Sequence, residues 1–176
     1  MFDRIIIYIF NKLSPQTKVY IYSNLKDAEV QNRYSLYAKK YNIHEKFRFN
    51  GDNVLFYGDG QIVCGENSYI GRYSSVQAYK KCEVIIGNNC SISHNVRIYT
   101  QSGIADQDWN LSPKKIKTGN VIIKNGVWIG ANVFINPGVT IGENAIVGSN
   151  SVVTKDIEPF AIYGGVPAKL IRMKKA

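Results

Sequence analysis

From Ile123 to Glu158 an aliphatic residue returns at every sixth position: Ile123, Ile129, Ile135, Ile141, Val147 and Val153. The fifth place of the first five units is small or β-branched, held by Val127, Val133, Val139, Ala145 and Ser151. A period of six matches neither the ~3.6-residue turn of a helix nor the alternation of an isolated strand. It predicts an all-β solenoid in which each hexapeptide supplies one short strand and one corner. Stacking between coils then buries the aliphatic column, as in a parallel β-helix.

The same spacing runs upstream with two interruptions. Cys64, Ile70 and Val76 form one run, and Ile86, Ile92 and Ile98 form a second that is out of phase with it. The third begins at Ile123, after the polar stretch 101–122. Gly and Asn recur just after the aliphatic residue, as in Gly65-Glu66-Asn67 and Gly142-Glu143-Asn144. Both residue types tolerate the positive φ of tight corners. Three hexapeptides per triangular turn give about four to five coils in one compact domain.

The N-terminal part is patterned differently. Met1 to Leu13 reads as a short helix packing on the trunk, and Lys26 to Asn42 as a second, burying Ala28, Leu36 and Tyr37. Phe47 to Tyr57 reads as a ragged first coil that covers the open end of the solenoid. The expected organisation is a helical cap over 1–50 and a solenoid over 51–158 interrupted by an excursion at 101–119. A C-terminal tail or helix over 159–176 completes it. The apolar start, FDRIIIYIF, is too short to span a bilayer, carries Asp3 and Arg4, and lacks a cleavage pattern, so membrane contact is not expected.

From Val121 to Ile157 the chain reads VIIKNGVWIGANVFINPGVTIGENAIVGSNSVVTKDI, and PFAIYGGVPAKLI follows from Pro159. On these residues the chain resembles the left-handed parallel β-helix acetyltransferases, of the small type that modifies sugars and xenobiotics. The resemblance covers about Cys64 to Lys174. It alone implies left-handed coiling, because crossovers between parallel strands are otherwise right-handed. It also implies a homotrimer with acetyl-CoA lying lengthwise between subunits. The matching motifs would place Gly130, Ala131, Ser149, Thr154, Lys155 and Lys169 along that cofactor, with Arg172 a further phosphate partner. Trp128, last in its hexapeptide, would be exposed on the trunk unless a ligand or a second subunit covers it.

Acyl transfer from a thioester needs a neutral nucleophile, donors for the developing oxyanion and, for a hydroxyl acceptor, a base. The family's usual base is a histidine in a Tyr-Thr-x-x-His context. Here Tyr99-Thr100-Gln101-Ser102 leads instead to Gly103. Only His44 and His94 exist in the chain. His94, at an outward corner of Ile92-Ser93-His94-Asn95, is the candidate catalytic or substrate-contacting residue; a corner histidine satisfied by local backbone is the other reading. His44 reads as structural. Asn95, Tyr99, Gln101, Asp106 and Asp108 are candidate acceptor contacts, with the two aspartates alternatively ordinary solvated loop carboxylates.

The missing histidine favours an amine acceptor, part of which is already nucleophilic near neutral pH, over a hydroxyl, which depends on a base. The expectation is N-acetylation of an amino sugar carried on a nucleotide, for bacterial surface polysaccharide. O-acetylation of a sugar hydroxyl and a non-catalytic scaffold are the alternatives. Zinc chemistry of the γ-carbonic anhydrase kind, on the same trunk, needs three histidines, and two distant ones cannot supply it.

A net charge of +9 would suit nucleic acid, yet no nucleic-acid-binding motif appears. The basic residues gather at Lys114, Lys115 and Lys117 and at Lys169, Arg172, Lys174 and Lys175, which suits a phosphorylated small molecule. Cys64, Cys82 and Cys90 lack CxxC spacing, and two of them fall at core positions of the repeat. Buried free thiols and a reducing cytoplasm are expected.

Overall fold

Aliphatic columns six residues apart can be buried only by coils stacked on one another, and the chain coils accordingly. The computed structural model of the protein describes residues 2–175, with side chains from residue 5 onward. The first coil is β1 (Asn42–Ile43), β2 (Arg48–Asn50) and β3 (Leu55–Tyr57). The second is β4 (Gln61–Cys64), β5 (Tyr69–Gly71) and β6 (Ser75–Gln77), and the third is β7 (Glu83–Ile86), β8 (Ser91–Ile92) and β9 (Arg97–Tyr99). A hairpin of β10 (Gln101–Gly103) and β11 (Ile116–Thr118) leaves the trunk there. The fourth coil is β12 (Val121–Ile123), β13 (Trp128–Ile129) and β14 (Phe134–Ile135). The fifth is β15 (Thr140–Ile141), β16 (Ile146–Val147) and β17 (Val152–Val153), and β18 (Ala161–Gly164) and β19 (Lys169–Met173) finish the chain.

The strands form three parallel faces. Face A is β1-β4-β7-β12-β15, face C is β3-β6-β9-β14-β17, and face B runs β2-β5-β8-β13-β16-β18-β19. The result is a left-handed parallel β-helix of about five turns, as the resemblance implied. Each face carries one inward column. Cys64, Ile86, Ile123 and Ile141 pair in register on face A, and Ile70, Ile92, Ile129 and Val147 on face B. Val76, Ile98, Ile135 and Val153 do so on face C. All are essentially inaccessible, so each isoleucine contributes about 1.5–3 kcal/mol of burial.

The sequence runs that looked out of phase are therefore in phase in space. Twenty-two residues separate Cys64 from Ile86 and thirty-seven separate Ile86 from Ile123, against eighteen between Ile123 and Ile141. Both insertions enter at one corner, between faces C and A. The corners also refine the expected roles of Gly and Asn. Positive φ falls on Asn67, Asn89 and Asn144 at the A–B corner and on Tyr73, Asn95, Asn132 and Asn150 at the B–C corner. Gly65 and Gly87 serve close approach instead: a Cβ at Gly87 would sit 2.5 Å from Asn125 Oδ1 of the next coil.

Two helices precede the coils, α1 (Phe2–Lys12) and α2 (Pro15–Lys40). Ser14 caps α2, its Oγ accepting the Thr17 amide at 3.1 Å, and Pro15 opens the helix where no amide bond is lost. This corrects the expected second helix at 26–42, which starts eleven residues earlier and is not short. Its buried face is corrected too: Tyr34 is buried and Tyr37 half-buried, while Ala28 and Leu36 are exposed. Contacts divide the chain into two compact units, Met1–Leu36 and Tyr37–Ala176.

Within the second unit, an aromatic cluster closes the open end of the trunk. Tyr37 stacks on Phe56 at 5.5 Å, and Tyr41, Phe47 and Phe49 pack around the same ring. Lys40 and the Tyr41 hydroxyl both donate to the Gly58 carbonyl. At the other end β18 adds to face B beside β16, and β19 folds back antiparallel on β18, so the tail is a β-hairpin. No helix among the described residues is long and apolar enough to cross a membrane.

Candidate active site

The B–C corner gathers several of the residues singled out from sequence. Because Ile92, Ile129 and Val147 are in register, His94, Ala131 and Ser149 occupy equivalent places on the third, fourth and fifth coils. Successive coils lie ~4.8 Å apart, so these residues form one column. Gly130 leaves the wall bare: a Cβ there would come within 2.6 Å of Ser149 N and Oγ. The column continues to Gly164 and Gly165, which follow the Ile146–Ile162 and Val147–Tyr163 pairs, and Lys169 lies opposite Gly164. One edge of the trunk thus carries His94 at one end and a lysine at the other, with backbone and small side chains between.

A ladder of amides holds this corner rigid. Asn95 Nδ2 donates to Asn132 Oδ1 at 2.7 Å, and Asn132 Nδ2 donates to Asn150 Oδ1 at 3.0 Å. The side chain of Asn95 is thereby engaged in the corner itself. His94 is exposed; its Nδ1 lies 3.3 Å from Ser93 Oγ, and its carbonyl accepts the Asn132 amide at 3.2 Å. His44, by contrast, is part of a turn in which its Nδ1 accepts the Lys46 amide.

Other candidates lie elsewhere on the trunk. Thr154 and Lys155 follow β17, at the opposite edge of face C. Trp128 is 55% exposed on the outside of face B, in a row with Ile146, Ile162 and Arg172 across the paired strands. A single chain therefore does not bring all the expected cofactor residues to one groove.

The excursion hairpin is pinned from within. Gln107 Nε2 donates to the Ile104 and Lys115 carbonyls at 2.7 and 2.9 Å, and its Oε1 accepts the Lys115 amide at 2.7 Å. Asp108 Oδ1 accepts from the Asn110 backbone and side chain, so this carboxylate shapes the loop, whereas Asp106 is exposed. Lys114 donates to the Trp109 and Leu111 carbonyls. Gln101 opens the hairpin opposite Thr118, while Thr100 is fully buried and takes the Tyr79 amide at 2.7 Å. Gly103, where the family histidine was expected, lies under the Trp109 indole, and a Cβ there would meet Trp109 Cη2 at 2.4 Å.

Tyr99 stands on the outside of face C, in a row with Tyr57 and Gln77. Burial, then the hydrogen bond to Tyr99, pushes the Tyr57 phenol up to about 12. Burial also raises the thiols of Cys64 and Cys90; all three cysteines are free and buried. Sequence reasoning missed Gln107, Trp109 and Arg97. The only available signals were a lone aromatic in a polar loop and an arginine in an outward strand position.

Comparison with known proteins follows the same lines. The bacterial transferase hexapeptide family (six repeats) matches residues 120–155. A galactoside O-acetyltransferase of Escherichia coli (strain K12) is 33% identical over 165 residues, covering 92% of this chain and 78% of that protein. A chloramphenicol acetyltransferase of Klebsiella aerogenes is 53% identical over 58 residues, 33% of this chain, and the match spans only 28% of that protein's length. Among solved structures, a galactoside acetyltransferase in complex with coenzyme A has a TM-score of 0.67 at 29% identity, covering 98% of this chain and 78% of that one. AntD, an N-acyltransferase from Bacillus cereus in complex with dTDP and 3-hydroxybutyryl-CoA, has a TM-score of 0.61 at 25% identity, covering 76% of this chain and 79% of that one. The chain belongs to the hexapeptide-repeat acetyltransferase family.

Proposed function

We propose that this chain uses acetyl-CoA to N-acetylate an amino sugar carried on a nucleotide, in the cytoplasmic assembly of bacterial surface polysaccharide. The observation that carries the reading is Gly103 beneath Trp109, which leaves the usual base position without an imidazole and covered by an indole. An acceptor amine needs less help than a hydroxyl. Its neutral form attacks the thioester carbonyl, an N–C bond forms as the C–S bond breaks, and the coenzyme leaves as thiolate. The ammonium proton then passes to water. His94 orients the acceptor at one end of the corner, with Tyr99, Gln101 and Asp106 as further acceptor contacts, while Asn95 holds the corner and Asp108 shapes the excursion loop.

The acyl donor lies along the bare edge formed by Gly130, Ala131 and Ser149, with Lys169 and Arg172 taking its phosphates. Thr154 and Lys155 sit on the far edge of face C. They reach the same donor only from a neighbouring subunit, so the working form is a closed ring of three chains. Trp128 is covered by the donor or by that neighbour. The N-acyltransferase that holds dTDP and an acyl-CoA supports an amine acceptor on a nucleotide.

O-acetylation is the second reading, favoured by the exposure of His94 and by the likeness to a galactoside O-acetyltransferase. Thiol release from acetyl-CoA, measured over matched amino and hydroxy sugar nucleotides, separates the two. The proposal expects release with the amino member of a pair; release with the hydroxy member alone contradicts it. Absence of acetyl-CoA binding would leave only a scaffold.

A further inference from the structure

Between the His94 corner and the root of the excursion hairpin, the outside of face C holds a basin of about 300 Å³. Tyr57, Tyr73, Ser75, Arg97 and Tyr99 line it, and none of its lining residues is acidic. Tyr57, Gln77 and Tyr99 stand in one row on successive coils, and the phenols of Tyr57 and Tyr99 both border the basin. Ser75 Oγ lies 3.4 Å from the Tyr99 hydroxyl and adds a further hydroxyl.

Arg97 donates one N–H to the Tyr73 carbonyl, and its guanidinium has further donors to give. On the side of the fourth coil, the Phe134 ring packs edge-on against Tyr99 at 5.2 Å and limits the basin. The chemistry on offer is one cation, several neutral hydroxyls and aromatic walls.

We propose that this basin binds a sugar unit bearing an anionic group, a carboxylate or a phosphate, as the recognition subsite for the acceptor. The anion pairs with Arg97, and sugar hydroxyls exchange hydrogen bonds with Tyr57, Ser75 and Tyr99. Tyr73 shares the corner column of Asn95, which sets the basin directly beside His94. This assignment rests on the transferase reading for its purpose, but its test needs no turnover.

Binding of glucuronic acid, glucose 1-phosphate and glucose to the full-length protein is measured by calorimetry, each at up to about 10 mM and without coenzyme. At least one charged sugar should bind about tenfold or more tighter than glucose, as a charge-assisted contact predicts. Arg97→Gln should abolish that preference and Arg97→Lys should keep part of it. Tighter binding of glucuronic acid identifies a carboxylate as the natural anion; tighter binding of glucose 1-phosphate identifies a phosphate. Equal affinity for all three sugars, no binding of any, or a preference that survives Arg97→Gln overturns the proposal. Acetyl-CoA binding by the same samples is read separately, so failure of the transferase reading and failure of the subsite are distinct results.

Discussion

The Trp109 indole lies so close to Gly103 that a Cβ on residue 103 would stand 2.4 Å from its Cη2. The contact is nonlocal within the hairpin and is held by Gln107 and Lys114, which fix the carbonyls on either side. Gly103→His should therefore supply a base poorly, because the imidazole must first displace the Trp109 indole. Gly103→His with Trp109→Ala should give acetylation of a hydroxyl sugar whose rate rises through a histidine titration near pH 6.5. The pH–rate profile of the double variant checks this; the same profile from Gly103→His alone would show that Trp109 does not exclude the histidine.

Asn132 sits at the middle of the corner ladder at φ +59°, joined to Asn95 and Asn150. Asn132→Ala removes both amide bonds and places a Cβ-bearing residue without local hydrogen bonding in the left-handed region. The expected loss is about 2 kcal/mol, and Asn132→Gly should lose less because it avoids the conformational cost. Urea unfolding midpoints of the two variants rank them; equal losses would mean that the left-handed conformation contributes little.

Lys169 and Arg172 are exposed on the terminal hairpin, clear of any carboxylate partner among the recorded ion pairs of the described residues. Replacing both by alanine should raise KM for acetyl-CoA tenfold or more with little change in kcat. Charge-assisted phosphate contacts are worth about 1.5–3 kcal/mol each and bind ground and transition states alike. Steady-state kinetics decides, and a change under about threefold would locate the phosphates elsewhere.

Alkaline pH should weaken the fold through groups whose neutral form is preferred when folded. Tyr57 is raised from 10.0 to about 12, and burial raises the Cys64 thiol. Their contribution is complete below the unfolded values and fades as pH rises past about 9 for the thiol and 10 for the phenol. Urea midpoints from pH 8 to 11 should fall, and Cys64→Val should flatten the early part of that fall. An unchanged slope in Cys64→Val would assign the loss to other groups.

The inward columns were legible because burial on a stacked coil demands an aliphatic residue at each sixth place, whatever its neighbours. Core Cys64 and Cys90 were legible for the same reason. The hidden phase was not: extra residues between Val76 and Ile86 and between Ile98 and Ile123 leave the trunk at a common corner, and no local propensity reports where a loop returns. The early start of α2 was signalled by Ser14-Pro15, a cap and first-turn pair that the polar composition around it obscured. The site was legible only in part. Motifs indicated the B–C corner, but the closure of position 103 and the tyrosine basin depend on contacts between residues distant in space from any motif.

The central claim is acetylation of an amine without an obligatory base, and the turnover of His94→Ala tests it most directly. With a nucleotide-linked amino sugar and saturating acetyl-CoA, kcat should fall by about tenfold or less, and the rate should follow titration of the substrate amine. A positioned general base would instead contribute about two to four orders of magnitude. A loss of that size in His94→Ala, with acetyl-CoA binding intact, would contradict the account and make this chain an O-acetyltransferase.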